Sequence, residues 1–201
     1  MASSRSKVFE CLPTAGLPYQ LAGWAEFEEF MGTFIAAQAI TSIREVWWDI
    51  RPHPDFGTVE LRICDGISTM REVASMAAMA QSLVESMDTR IEAGEKLVVP
   101  REWVVKQNKW KASRHGLDAD LIVDDQGGRV PLRDAICGLV ADLSPTAARL
   151  GCLDELTANL DVLDHGASYR RQRSIVAGGG SLEDVVDSLV AELEAGRPRS
   201  P

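Results

Sequence analysis

The stretch Glu45–Gly66, EVWWDIRPHPDFGTVELRICDG, contains the pattern that decides how this chain folds. Two apolar, strand-like runs lie on either side of a loop rich in Pro and Gly. Each run carries an acid and an arginine two residues apart: Asp49 and Arg51 in the first, Glu60 and Arg62 in the second. Because strand side chains alternate between two faces, each strand is predicted to have an apolar face that packs on helices and a charged face. A hairpin would lay the two charged faces side by side.

The charged face of this hairpin has two interpretations. It could be exposed to solvent, with cross-strand ion pairs that contribute little to stability. Alternatively, it could form the floor of a pocket, in which Glu60 binds a hard cation such as Mg²⁺ and Arg51 and Arg62 bind phosphate or carboxylate oxygens. An acid beside an arginine on a rigid strand suits phosphoryl transfer, where catalysis is mostly positioning and charge neutralisation.

The composition limits the class of protein. A chain of 201 residues with 45% hydrophobic and 25% charged residues is expected to form one globular domain, or one domain with a small appendage. Its net charge of −9 argues against binding to nucleic acid or to an anionic membrane, although a local basic pocket for a phosphorylated small molecule stays open. The scattered cysteines, the lack of a signal-peptide pattern and the lack of a long apolar run favour a soluble, cytoplasmic protein.

The rest of the chain is predicted to be mainly helical. Gly, Pro and capping residues divide it into helices at about 23–38, 69–93, 101–114, 131–142, 145–164, 167–176 and from 181 onward. A second short hairpin is predicted at 120–130, residues 1–22 are expected to be an extended or looping lead-in, and residues 197–201 are expected to be a disordered tail. The predicted fold class is α+β, a small antiparallel sheet packed with several helices.

The long helix that opens at Thr69 has a row of apolar residues at alternating steps of three and four. Such a row could be a coiled-coil seam, but flanking apolar residues widen it and favour a buried core helix. The row consists of Met70, Val73, Ala77, Ala80, Val84, Met87 and Ile91.

Several other polar residues allow more than one role. His53 could contact a substrate or could be a solvated loop histidine. The basic groups around Trp110 and at Arg170, Arg171 and Arg173 resemble a nucleic-acid platform locally. Given the acidic net charge, solvated helix faces or the wall of a phosphate-binding pocket explain them better.

Four segments of the chain together resemble a known family. They are ASSRSKVFECLPTAGLP at 2–18, WWDIRPHPDFGTVELRICD at 47–65, NKWKASRHGLDADLI at 108–122 and GASYRRQRS at 166–174. The sequence resembles the type 2 glutamate–cysteine ligase, or carboxylate–amine ligase, family, whose fold is related to that of glutamine synthetase. The resemblance covers nearly the whole chain in the same order.

This resemblance implies an ATP-dependent ligase that joins glutamate to cysteine or another amine through an acyl phosphate, with ATP and Mg²⁺ as cofactors. Glu60 matches a metal-binding glutamate. Arg62 resembles the arginine that meets the transferred phosphate and the acidic substrate, with Arg51 and Asp49 on the companion strand. By the same resemblance Arg114 faces the nucleotide or the substrate. The implied catalytic residues are Arg62 and Arg51, and the implied cofactor-binding residues are Arg62, Arg114 and Asp49.

The resemblance extends only to the C-terminal half of the family's chains. Residues 1–196 are therefore expected to form the C-terminal half of the catalytic domain. The other half would carry further metal ligands and further strands, so we expect an unpaired sheet edge here and little activity from this chain alone. A complementing N-terminal half or a homo-oligomer would complete it. The alternative is a non-catalytic interaction or regulatory module that keeps the ligase fold.

Overall fold

The computed structural model describes residues 1–198 and shows a mixed fold of helices and short strands, in agreement with the predicted α+β class. The predicted tail falls at residues 197–201, of which 199–201 lie outside the described residues. The chain divides into two compact units. We call Ser3–Asp65 the hairpin unit, and Met1–Ala2 together with residues from Gly66 onward the helical unit.

The hairpin unit contains two helices, four strands and two 3₁₀ turns, at Ile43–Glu45 and Pro54–Phe56. Its predicted helix is present, and so is its charged hairpin. The expectation of an irregular lead-in over 1–22 is wrong, because a short helix and a strand lie within it. The elements are α1 (Arg5–Phe9), β1 (Ala15–Gly16), α2 (Trp24–Ala36), β2 (Trp47–Trp48), β3 (Ile50–His53) and β4 (Thr58–Leu61).

The core of the hairpin unit lies between α2 and the segment that leads into β2. Phe27 and Trp48 are buried there in an edge-on ring contact, with ring centroids 6.4 Å apart. β1 pairs with β2 in parallel, whereas β3 and β4 form a separate antiparallel pair. The other buried members of this core are Ile40, Ile43 and Val46.

The helical unit contains seven α-helices and one hairpin among its described residues. The predicted N-cap at Thr69 is confirmed, and Ser181 also caps its helix, since each hydroxyl accepts a hydrogen bond from the backbone N–H three residues later. The elements are α3 (Met70–Glu92), α4 (Glu102–His115), β5 (Asp120–Ile122), β6 (Arg129–Pro131), α5 (Leu132–Leu150), α6 (Leu153–Thr157), α7 (Asp161–His165), α8 (Ser168–Ala177) and α9 (Leu182–Ala195).

The core of the helical unit lies where α3 packs on α5 and α6. The helix α5 runs through Pro145, where a helix start was predicted, so that prediction is wrong. A proline removes one backbone donor from a helix interior. Here the Ser144 hydroxyl donates to the Val140 carbonyl at 2.7 Å, and Leu143, Thr146 and Ala147 are buried on either side of the proline. Packing of these flanking residues outweighs the local cost of Pro145.

The apolar row predicted to bury α3 lies mainly on the exposed side of the helix. Met70, Val84 and Ile91 are exposed, whereas the small residues Ser75 and Ala78 are buried. Small side chains let α3 approach its neighbours closely, which leaves the larger apolar residues outside. The helix α9 is similar, since Val185 is buried but four other apolar residues of the helix are exposed: Leu182, Val186, Val190 and Leu193.

Across residues 1–198, no helix combines the length and the apolar character needed to cross a membrane.

Candidate functional site

The charged hairpin has the register that places an acid and an arginine face to face. Arg51 of β3 lies directly opposite Glu60 of β4. The turn between them closes at Gly57, whose φ of +59° suits glycine. The pairing extends past β3, because the carbonyl of Asp49 accepts hydrogen bonds from the backbone N–H of Arg62 at 2.7 Å and from the next N–H at 3.1 Å. The hairpin therefore brings Asp49, Arg51, Glu60 and Arg62 together.

Arg51 is buried, with 3% of its surface exposed, and its guanidinium is fully engaged. Nη1 donates to the carbonyls of Ile43 at 2.9 Å, Val46 at 3.0 Å and Arg44 at 3.2 Å. Nε donates to Glu60 Oε2 at 2.8 Å, and Nη2 donates to the same oxygen. Arg51 thus ties the turn that precedes β2 to the acid on β4, and its geometry is that of a residue that positions Glu60.

Glu60 presents its two carboxylate oxygens differently. Oε2 accepts both bonds from Arg51 and lies 3.7 Å from Nη1 of Arg62. Among the described residues, no hydrogen bond engages Oε1. The bond from Arg51 holds the pKa of the Glu60 carboxyl below its ordinary value, with smaller contributions from the charges of Arg51, Arg62 and His53. The side chain is 38% exposed, so an ionised oxygen with a free coordination position reaches solvent.

The prediction that the apolar face of this hairpin packs on helices holds for Trp48, which is buried against Phe27 of α2, but is wrong for the rest of that face. Ile50, Val59 and Leu61 are 45%, 58% and 45% exposed, whereas Arg51 on the opposite face is buried. A buried guanidinium is stable when its donors are satisfied, and here three carbonyls and a carboxylate satisfy them. The hairpin unit therefore has an uncovered apolar sheet face, defined by Ile50, Val59 and Leu61, which we call the apolar hairpin face.

His53 is also placed differently from the expected solvated loop residue. It ends β3, is 4% exposed, and packs its ring 4.4 Å from the ring of Phe56. Its Nδ1 is buried, and no hydrogen-bond partner for it exists among the described residues. The strand period could have revealed this burial, because His53 follows Arg51 by two residues.

The remaining predicted site residue, Arg114, belongs to the helical unit. It lies in the last turn of α4 and is exposed, and it lines an open cavity together with residues of α8. Within residues 1–198 its guanidinium has no hydrogen bond or ion pair. Arg114 is therefore a free cation beside a concave surface.

The basic cluster of α8 divides into residues with different roles. Arg170 and Arg173 line the same cavity as Arg114, whereas Arg171 is buried. Arg171 donates through Nε to Glu192 at 2.7 Å and through Nη2 to Glu72 at 3.0 Å. The expectation that this cluster forms a solvated face is therefore wrong for Arg171, which links α8 to the start of α3 and to α9.

Few of the described residues are placed so that they could bind a metal ion together. Residues 1–198 contain no group of three or more His, Cys, Asp or Glu side chains that could hold a metal ion. Mg²⁺ in enzymes that use nucleotides is often held by one or two carboxylates together with phosphates and water. The free Oε1 of Glu60 fits a single ligand of that kind.

Comparison with known proteins decides the family. The sequence-family model that describes glutamate-cysteine ligase family 2 matches residues 1–188 of this chain. The chain belongs to glutamate-cysteine ligase family 2. All five predicted site residues lie within the match to the family: Asp49, Arg51, Glu60, Arg62 and Arg114.

Three curated members of glutamate-cysteine ligase family 2 show how far the similarity extends, and each carries a name that begins "Putative glutamate–cysteine ligase 2". The chain is 56% identical to a protein of Frankia casuarinae over 199 residues, 55% identical to one of Thermobifida fusca over 198 residues, and 48% identical to one of Rhodococcus jostii over 193 residues. These alignments cover 96–98% of this chain but 50–52% of each relative. The chain spans about half the length of the curated relatives it matches.

Proposed function

We propose that this chain is part of an ATP-dependent carboxylate–amine ligase that joins the γ-carboxylate of glutamate to the amine of cysteine or a similar amino acid. Membership of glutamate-cysteine ligase family 2 supports the reaction class. The observation that carries the proposal is the ionised Glu60 carboxylate, in which Oε2 is held by Arg51 with Arg62 nearby and Oε1 forms no hydrogen bond among the described residues. We further propose that residues 1–196 form the C-terminal half of a catalytic domain with a glutamine-synthetase-like fold.

The residues of the hairpin have different roles in this proposed reaction. Mg²⁺-ATP, when bound, supplies the phosphoryl group that turns the γ-carboxylate into an acyl phosphate, with ADP as the leaving group. Glu60 would hold the cation through its carboxylate, and Arg62 would neutralise the charge of the transferred phosphate and of the acidic substrate. Arg51 keeps the carboxylate of Glu60 ionised and oriented, and the backbone of Asp49 fixes Arg62 in register. The amine then displaces phosphate from the acyl carbon and loses a proton.

We propose that a second polypeptide segment completes this site. The apolar hairpin face is exposed, and β3 and β4 pair only with each other among the described residues. An exposed apolar sheet face with open edges favours association with further strands. The curated relatives carry about as much chain again outside the aligned part, so a complementing N-terminal half is the partner that we propose, with a second copy of this chain as the alternative.

The second candidate function is a non-catalytic interaction module that keeps the ligase fold. One observation favours it: residues 1–198 contain no group of three or more His, Cys, Asp or Glu side chains that could hold a metal ion. Such a module would use the same apolar hairpin face to bind its partner without turnover.

ATP-dependent product formation separates these two functions. We would measure the release of ADP and the formation of γ-glutamyl product with glutamate and cysteine, for the chain alone and for the chain combined with the N-terminal half of the Thermobifida fusca relative. The ligase proposal predicts turnover in the combined protein that requires both ATP and Mg²⁺. A combined protein that is folded and associated but forms no product would support the interaction module instead.

A further inference from the structure

The cavity beside Arg114 has an excess of positive charge. It lies between the end of α4 and α8, and its volume is about 480 Å³. Three guanidinium groups line it, from Arg114, Arg170 and Arg173, against one carboxylate, from Asp118. This local charge stands out in a protein whose net charge is −9. A concave basic surface in an acidic protein favours a small anionic ligand over a long polyanion.

One part of the cavity wall is fixed by contacts within the helical unit. The Tyr169 hydroxyl accepts hydrogen bonds from the backbone N–H of Leu117 at 3.3 Å and from Nε of Arg170 at 3.2 Å. The guanidinium of Arg170 also forms an ion pair with Asp118. Arg170 and Asp118 therefore neutralise each other, and Tyr169 holds the wall against the turn at Gly116.

The other two arginines keep their charges available. Arg114 has no hydrogen bond or ion pair among the described residues. Arg173 stacks over the Tyr169 ring, with its guanidinium carbon 5.5 Å from the ring centroid, and donates to the carbonyl oxygen of Met1. No carboxylate of the described part of the chain neutralises either charge. Two uncompensated guanidinium groups at one cavity match a ligand with at least two negative charges and several acceptor oxygens.

We propose that this cavity binds a polyphosphate group through Arg114 and Arg173, with Tyr169 and Arg170 as its rigid wall. This proposal rests on the proposed function in one respect: the polyphosphate group would be that of ATP, the substrate of the ligase reaction. The chemistry does not depend on the base, so inorganic tripolyphosphate would occupy the same cavity. Free glutamate would bind much more weakly, because its ammonium group offsets one of its two carboxylates and leaves a net charge of about −1.

Calorimetric titration of the full chain tests this proposal with three probes: inorganic tripolyphosphate, ATP and glutamate. We expect tripolyphosphate and ATP to bind with dissociation constants below about 1 mM, and the substitutions Arg114→Gln and Arg173→Gln each to weaken them about 5-fold or more. Arg149→Gln is the control, because it removes the same charge from an exposed arginine that does not line the cavity, and it should leave both affinities unchanged.

Other results of these titrations would overturn the proposal or separate it from the proposed function. No binding of tripolyphosphate up to about 10 mM, or equal weakening by Arg149→Gln, overturns the proposal. Glutamate binding that depends on Arg114 while tripolyphosphate does not bind also overturns it, in favour of a carboxylate site. If tripolyphosphate binds through Arg114 and Arg173 but ATP does not, the polyphosphate site stands and its assignment to the ligase reaction fails. If the site binds ATP but the combined protein forms no product, the proposed function is contradicted and the polyphosphate site stands.

Discussion

Arg51 and Glu60 lie directly opposite each other on β3 and β4, and both bonds that the guanidinium sends across the hairpin end on the same carboxylate oxygen. This arrangement fixes one oxygen of the acid and leaves the other open. It also explains why a charged pair lies in the middle of a hairpin, since the remaining donors of the buried Arg51 satisfy carbonyls of the preceding turn. The pair of Arg51 and Glu60 therefore stabilises the hairpin and also orients the carboxylate that is the candidate metal ligand.

The first prediction concerns the contribution of Arg51 to the stability of the fold. Arg51→Met should lower the free energy of unfolding by about 3 kcal/mol, because it leaves the buried carbonyl of Val46 without a donor and removes the guanidinium that pairs with Glu60. Arg44→Met is the matched control, since Arg44 is exposed and its side chain forms no ion pair within the described residues. Urea unfolding followed by tryptophan fluorescence measures both. Equal stability of the two variants would show that the Arg51 network contributes nothing.

The second prediction concerns pH. The pKa of Glu60 is lowered in the folded protein, so this group contributes stability that is present above its ordinary pKa and is lost as the pH falls through the folded value. The melting-temperature difference between the wild type and Glu60→Gln should therefore be positive and constant above about pH 5 and should shrink below about pH 4. Because the carboxylate is partly exposed, the effect should stay under about 1 kcal/mol.

Glu29→Gln serves as the control for the pH experiment, because Glu29 lies in the same unit, is exposed, and forms no ion pair among residues 1–198. Its melting-temperature difference from the wild type should not change with pH over this range. A Glu60→Gln difference that grows on acidification would contradict the assignment.

The third prediction concerns the buried ion network of the helical unit. Arg171→Met leaves the buried carboxylate of Glu192 without its partner guanidinium and should destabilise the protein by about 3–5 kcal/mol. Adding Glu192→Gln to this variant should recover part of the loss, because the uncompensated charge is removed. Arg149→Met, at an exposed arginine, should change stability by less than about 0.5 kcal/mol. A double variant no more stable than Arg171→Met would contradict the assigned pairing.

The fourth prediction tests the turn that supports the cavity wall. Gly116 has a φ of +57°, and a β-carbon there would come within 2.6 Å of the Tyr169 ring carbon that carries the hydroxyl. Gly116→Ala should therefore cost about 2 kcal/mol and displace Tyr169. Gly138→Ala, within α5, meets no atom within 4 Å and should instead be neutral or stabilise by up to about 1 kcal/mol. Thermal unfolding distinguishes them, and a Gly116→Ala variant as stable as Gly138→Ala would contradict this role.

The sequence predicts the charged hairpin well because its signals are local. Strand alternation and the turn at Pro54–Gly57 set the register that brings Arg51 to Glu60. The cap at Thr69 and the end of α4 at Gly116 were predictable for the same reason, since each depends on a few neighbouring residues.

The sequence does not predict which face of an element is buried, because that depends on partners from distant parts of the chain. The burial of Arg51 requires carbonyls from the preceding turn, whose positions follow from the packing of Val46 and Trp48. The course of α5 through Pro145 likewise depends on burial against α3. The pattern of arginines on α8 could not distinguish the buried Arg171 from the cavity-lining Arg173.

The central claim is that the open oxygen of Glu60 holds the cation of an ATP-dependent ligase, and product formation by the Glu60→Gln variant tests it most directly. In the protein combined with the N-terminal half, at a pH above 6 where the contribution of Glu60 to stability no longer changes with pH, the account predicts a loss of activity of about 100-fold or more. The same variant should retain the melting temperature of the wild type to within a few degrees. A Glu60→Gln protein that forms product within about 3-fold of the wild-type rate would contradict the account.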